Sequence, residues 1–140
     1  MNYGRLVLAT VGGIVAYFAA GGAIFGLVPQ MVAEFEKHAA LYRPREGGDP
    51  TPMAVGMVAL LVAIFVVTVL YTMLSQGGSG VAQGARFGAL IGLFVVCAFV
   101  LHNYMLLNIG LRLTLMQAAA YFIQWAVVGT VIGLLYKPSA

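Results

Sequence analysis

The sequence predicts an all-α fold, an integral membrane four-helix transmembrane bundle with a short interfacial helix between its first and second helices. Three observations carry that expectation. Four stretches, Leu6–Ala33, Thr51–Ala85, Phe87–Leu111 and Leu113–Tyr136, hold no charged residue. Each exceeds the roughly 20 residues that a helix rising 1.5 Å per residue needs to cross a hydrocarbon core of about 30 Å. The 140 residues are 62% hydrophobic and 8% charged, with a mean hydropathy of +0.99, more apolar surface than a water-soluble domain of this length can bury. Strand-length alternation of apolar and polar residues is nowhere visible. Backbone N–H and C=O groups in lipid must therefore pair within helices rather than in a closed barrel.

One transmembrane domain is expected over residues 1–140. Its first helix, at about 6–28, stops near Pro29. A single Arg5 precedes the apolar run, which continues to Val28 and is too long for the apolar core of a cleaved signal peptide. Between Pro29 and Tyr42, Met31, Val32, Phe35, Ala39 and Tyr42 recur at helical spacing, with Gln30, Glu34, Glu36 and Lys37 between them. That alternation of faces predicts an interfacial helix over 30–42, with Pro29 near its first turn. Prolines and glycines make 43–52 a loop. Thr51 reads as an N-cap with Pro52 at the first helical position, opening a second helix at 53–75. The Ser75–Gly80 segment separates it from a third helix at 80–109. Gly110 and Arg112 then turn the chain into a fourth helix at 113–136.

An even number of crossings puts Arg5, Arg86 and Lys137 on one side and Lys37, Arg43, Arg45 and Arg112 on the other. The positive-inside count does not separate the two sides. Glu34, Glu36, Glu46 and Asp49 neutralise the second set, and Arg5 flanks the first helix directly. Both termini are accordingly expected in the cytoplasm, with Tyr3, Tyr71 and Tyr136 as the aromatic belt on that side.

Glycine spacing is the strongest local pattern. Gly80, Gly84, Gly88 and Gly92 open the third helix as consecutive Gly-x-x-x-Gly units. Residues four apart share a face, so these glycines make a groove that admits a second backbone. Gly22 and Gly26 on the first helix and Gly129 and Gly133 on the fourth repeat the spacing. Packing within the bundle is one reading, and a homo-oligomer interface is the other. Arg86 lies inside the motif, either snorkelling to head groups or binding an anionic lipid or substrate.

Polar side chains gather in the third and fourth helices. Tyr104, Asn108 and Arg112 follow one face if the third helix persists that far; Gln117, Tyr121 and Gln124 follow one face of the fourth. Amides and phenols in lipid need partners, so these faces are expected to meet as a hydrogen-bonded seam or to line a ligand cavity. His102 and Asn103 point to different faces, so one of them at most joins that seam. Trp125, in the middle of the fourth helix, is expected to pack between helices. Met31, Met53, Met57, Met105 and Met116 all fall toward the side opposite the termini, near His102, and thioethers suit Cu(I). Methionine also fills apolar gaps, and no paired spacing supports a ligand cage, so no metal or other cofactor is expected.

Several classes are excluded. Cys97 is the only cysteine, so neither an intrachain disulfide nor a thiolate zinc cluster can form. No nucleophile with a base and an orienting partner is visible, and the chain reads as non-enzymatic. The four membrane-spanning helices contain no Asp or Glu, the usual carriers in proton-coupled export; small multidrug resistance proteins are similar in length and helix count but depend on a carboxylate in their first helix. With Gly84-Ala-Arg-Phe-Gly88-Ala-Leu-Ile-Gly92, His102-Asn103-Tyr104 and Gly129-Thr-Val-Ile-Gly133-Leu-Leu-Tyr136, the chain resembles small four-helix bacterial inner-membrane proteins of unknown function. Two functional expectations follow. One is an oligomeric or accessory membrane subunit whose partners are the lipid bilayer and other membrane chains, with no nucleic acid. The other is a small transporter, channel or ligand-binding protein using the polar seam.

Overall fold

The computed structural model describes residues 2–43, 48–75 and 80–136. Arg45, Glu46 and Lys137, on which part of the charge argument rests, lie outside the described residues, as does most of the break between the second and third helices. The elements are α1 (Tyr3–Leu27), α2 (Pro29–Lys37) followed by a 3-10 turn at Ala39–Leu41, α3 (Thr51–Leu74), α4 (Val81–Tyr104) and α5 (Leu111–Leu135). The four long helices are each long and apolar enough to cross a membrane.

Helix boundaries shift from the sequence expectation where side chains cap. α1 begins at Tyr3 because the Asn2 side-chain oxygen accepts the Arg5 N–H at 3.1 Å, satisfying one donor of the first turn. At the start of α3 the N-cap is Pro50, not Thr51, and Asp49 just before it satisfies the first helical N–H. The Asp49 carboxylate accepts the Thr51 N–H at 2.9 Å, so Thr51 is already helical and Pro52 falls in the first turn, where its missing donor costs nothing. α2 stops at Lys37 rather than Tyr42, since the chain tightens into the 3-10 turn after His38.

The third helix departs most. Regular α-helix ends at Val95, Val96–Leu101 forms a π turn, and one α turn, His102–Tyr104, completes α4. Asn108 therefore sits in the α4–α5 connection and Arg112 at the start of α5. Neither continues a helical face from Tyr104.

α5 is the central helix, packed on α4 along one flank and on α1 along the other. α3 leans on α1 through its second half, where Ile64, Val67, Thr68 and Tyr71 are buried. The core occupies the half of the bundle nearest the termini and includes Ile64, Trp125, Val128 and Ile132. Tyr71 and Tyr136 belong to it, 1% and 3% exposed, with the Tyr71 ring 5.3 Å from that of Phe87. Of the expected aromatic belt only Tyr3 is exposed; the other two turn inward, their rings 6.3 Å apart edge to face. Trp125 packs between helices, its ring 5.8 Å from that of Tyr17. Thr10, Thr68 and Thr130 each donate their hydroxyl to the carbonyl four residues back, so these polar groups are satisfied within their own helices.

The α4–α5 contact is made backbone to backbone. A Cβ built on Gly88 would meet the Trp125 carbonyl oxygen and lie 2.9 Å from the Gly129 Cα; one on Gly84 would meet the Gly129 carbonyl oxygen and lie 2.9 Å from the Gly133 Cα. Gly80 takes part through its carbonyl, 2.6 Å from a Cβ built on Gly133, and Gly92 faces Phe122. Gly22 and Gly26 do not share this role. A Cβ on either would have nothing within 4 Å, because α1 approaches its neighbours through Gly12, Gly13 and Gly21 instead.

Candidate functional site

Opposite the termini, the segment from Pro29 to Tyr42 folds back over the start of α5 and is tied down at successive points. Glu34, whose side chain is 8% exposed, accepts from Lys37 Nζ at 2.7 Å and pairs with Arg112 Nη1 at 3.2 Å. The hydrogen bond from Lys37, then the positive charges of Lys37 and Arg112, hold its carboxyl below the usual carboxylate range against the opposing effect of burial. The His38 ring bridges two backbones. Because the Glu34 carbonyl can only accept, Nδ1 donates to it at 3.0 Å, which leaves Nε2 as the acceptor of the Gly110 N–H at 3.2 Å. One neutral tautomer satisfies both bonds. Finally, Gln117 donates its amide to the Tyr42 hydroxyl at 3.3 Å.

Beneath this strap are two half-open cavities. The first, about 320 Å³, lies between α1, α2 and α5 and is walled by Phe18, Phe25, Met31 and Phe35, with Tyr17, Gln117, Tyr121 and Gln124 supplying polar groups. A second, about 380 Å³, lies between the strap, α4 and α5, walled by Val95 and by Phe99 and Val100 of the π turn, and polar at Tyr42, Asn103, Gln117 and Tyr121. Gln117 and Tyr121 line both. A π turn displaces the helix that follows it, and such turns often border functional sites. Here the π turn forms a wall of the second cavity. Volumes of this size lie at the small end of ligand pockets, which run from roughly 300 to 1,000 Å³.

The polar side chains are assembled differently from the expected seam between the third and fourth helices. Gln124, buried, donates to the Tyr17 carbonyl of α1 at 3.3 Å, and Gln117 is held by the strap. Beside Gln117, α4 presents Val95, Phe99 and Val100 with Asn103 across the second cavity, and it makes no hydrogen bond to either glutamine among the described residues. Asn103 does reach the second cavity. His102, Tyr104 and Asn108 are exposed, and so is Arg86, which forms no ion pair among the described residues.

The methionines do not form an enclosed site. Met31 is buried against the first cavity, whereas Met53 and Met105 are 68% and 72% exposed and Met57 is exposed as well. Among the described residues no three His, Cys, Asp or Glu side chains group as metal ligands.

Sequence reasoning missed Tyr17, Gly21, Glu34 and His38. Tyr17 and Gly21 share a face at four-residue spacing, and a lone phenol in mid-helix was the available signal. Glu34 had been read onto the polar face of the strap, where periodicity alone puts it.

No family model, no curated protein and no solved structure matches the chain.

Proposed function

We propose that the chain is a non-enzymatic, multi-pass protein of the inner (plasma) membrane that binds a lipophilic small molecule from within the bilayer. The first cavity carries this reading. It is apolar over most of its wall, lies half open between α1, α2 and α5, and presents two amides and two phenols from Gln117, Gln124, Tyr17 and Tyr121. Apolar walls with a few convergent polar groups are the usual composition of small-molecule sites. Both termini are put in the cytoplasm, so that the strap and its cavities belong to the outer leaflet.

Gly22 supplies the test. It lines the cavity, and a Cβ built there meets no atom within 4 Å, so Gly22→Leu is expected to fill the cavity without forcing the helices apart. Native mass spectrometry of protein extracted from its membrane is expected to retain a bound lipophile in the wild-type chain and to lose it in Gly22→Leu. Equal retention by both proteins, or none in either, overturns the reading.

A second reading, an accessory or homo-oligomeric subunit, is supported by α3. Every residue from Met53 to Ala59 is exposed, and these residues are apolar, Gly56 among them. Such a face suits a second membrane helix as well as lipid. Disulfide trapping of Met57→Cys copies in a Cys97→Ala background would yield a dimer if the partner is a second copy.

A further inference from the structure

We infer that the ligand is an uncharged two-chained lipid with a free hydroxyl, of the diacylglycerol class, seated astride Gln117 and Tyr121 with one acyl chain in each cavity. The inference rests on the proposed ligand-binding reading and specifies its chemistry. Three features of the structure carry it.

The first is the absence of charge on the lining. Neither cavity is lined by an ionised side chain, and the nearest cluster, Glu34 with Lys37 and Arg112, is closed on itself. A phosphate or ammonium head group would be desolvated there without a counter-charge, which is prohibitive. The second is the unused hydrogen-bonding capacity. The Tyr17 and Tyr121 side chains both line the first cavity, and their hydroxyls make no hydrogen bond among the described residues. Each phenol O–H lacks an acceptor, which an ester carbonyl provides. Gln117 and Gln124 each spend one of two amide N–H groups on the protein and keep the other, together with a carbonyl oxygen that accepts from a ligand hydroxyl. Phenol and amide donors beside amide carbonyl acceptors suit a glycerol that carries ester carbonyls and a free hydroxyl.

The third is the division of the apolar space. Aromatic and methionine side chains wall one cavity and the aliphatic and aromatic face of the π region walls the other, with Gln117 and Tyr121 common to both. A single-chained amphiphile leaves one of them without apolar content. Gln117 lies six residues into α5, about 9 Å from its start and well short of the helix midpoint.

Trp125 is the only tryptophan and is buried against Tyr17, so its fluorescence reports the occupant. Wild-type protein is reconstituted in phosphatidylcholine vesicles containing, as the brominated minor component, either chain-brominated diacylglycerol or chain-brominated phosphatidylcholine. Brominated diacylglycerol is expected to quench Trp125 several-fold more than brominated phosphatidylcholine at equal mole fraction. Tyr121→Phe and Gln117→Leu are expected to bring the two probes level, and Gly22→Leu to reduce quenching by both. Equal quenching by both probes in wild type, with Gly22→Leu reducing it, overturns the diacylglycerol assignment and leaves a general lipid cavity. Quenching that Gly22→Leu does not change overturns the inference together with the reading beneath it.

Discussion

Gly88 and Gly22 are the same residue at opposite extremes of packing. Leucine at Gly88 would drive its first carbon into the Trp125 carbonyl, a backbone atom that cannot rotate away. Overpacking of ordinary cores costs about 1–3 kcal/mol, and a backbone collision belongs at or above the top of that range. Gly88→Leu is therefore expected to lower the thermal midpoint in detergent markedly, while Gly22→Leu stays close to wild type. Two equal midpoints would contradict the close α4–α5 approach. The four-residue spacing of both pairs was plain in the sequence, but spacing does not say which face of a helix turns inward. That is why Gly12, Gly13 and Gly21 went unnoticed on α1 while Gly22 and Gly26 drew attention. A glutamine's partner was equally illegible. Gln124 was readable as a polar group in need of a bond, but its bond to a carbonyl of α1 depends on how α1 and α5 cross.

Among the elements, the strap shows best what sequence patterning can and cannot give. The apolar stripe through Met31 and Phe35 was legible and does face the cavity. The latch was not, because Glu34 meets Arg112, and His38 meets Gly110, only when residues more than seventy positions apart are brought together. Since the Glu34 carboxyl is held below its ordinary range, its contribution to docking the strap is complete above the ordinary carboxylate pKa of about 4.3 and disappears as pH falls through the lowered value. Titration of the Glu34 carboxyl carbon by NMR is expected to show that depression. Lys37→Ala is expected to raise the midpoint further than Arg112→Ala, because the Lys37 hydrogen bond is the larger cause. An unchanged midpoint in both variants would sink this account of the latch.

For the molecule as a whole, the number of long helices and their order were readable from uninterrupted apolar length, which local sequence fully specifies. Their arrangement around α5 was not, since every helix is apolar on nearly all faces and no amphipathic stripe marks the centre. Orientation is the property of the whole chain most open to direct measurement. Cysteine at Gly48, chosen beside Asp49 so that the Asp49 hydrogen bond at the start of α3 is kept, in a Cys97→Ala background, is expected to react with an impermeant maleimide in intact cells. Reaction only after lysis would reverse the proposed topology.

The π turn at Val96–Leu101 gives α4 a property that an uninterrupted helix lacks. In an α-helix each residue turns the chain by about 100° and advances it 1.5 Å, so one additional residue accommodated in a widened turn rotates all that follows without lengthening the helix by a full turn. The segment His102–Tyr104 thus carries an angular setting independent of the glycine face below it. Loss of a single residue within the turn would not truncate α4. It would redial the end of the helix, carrying Asn103 away from the second cavity while the contact between Gly88 and Gly129 stayed in register. Chain length in this turn is therefore a means of tuning the cavity that involves no change in any residue lining it.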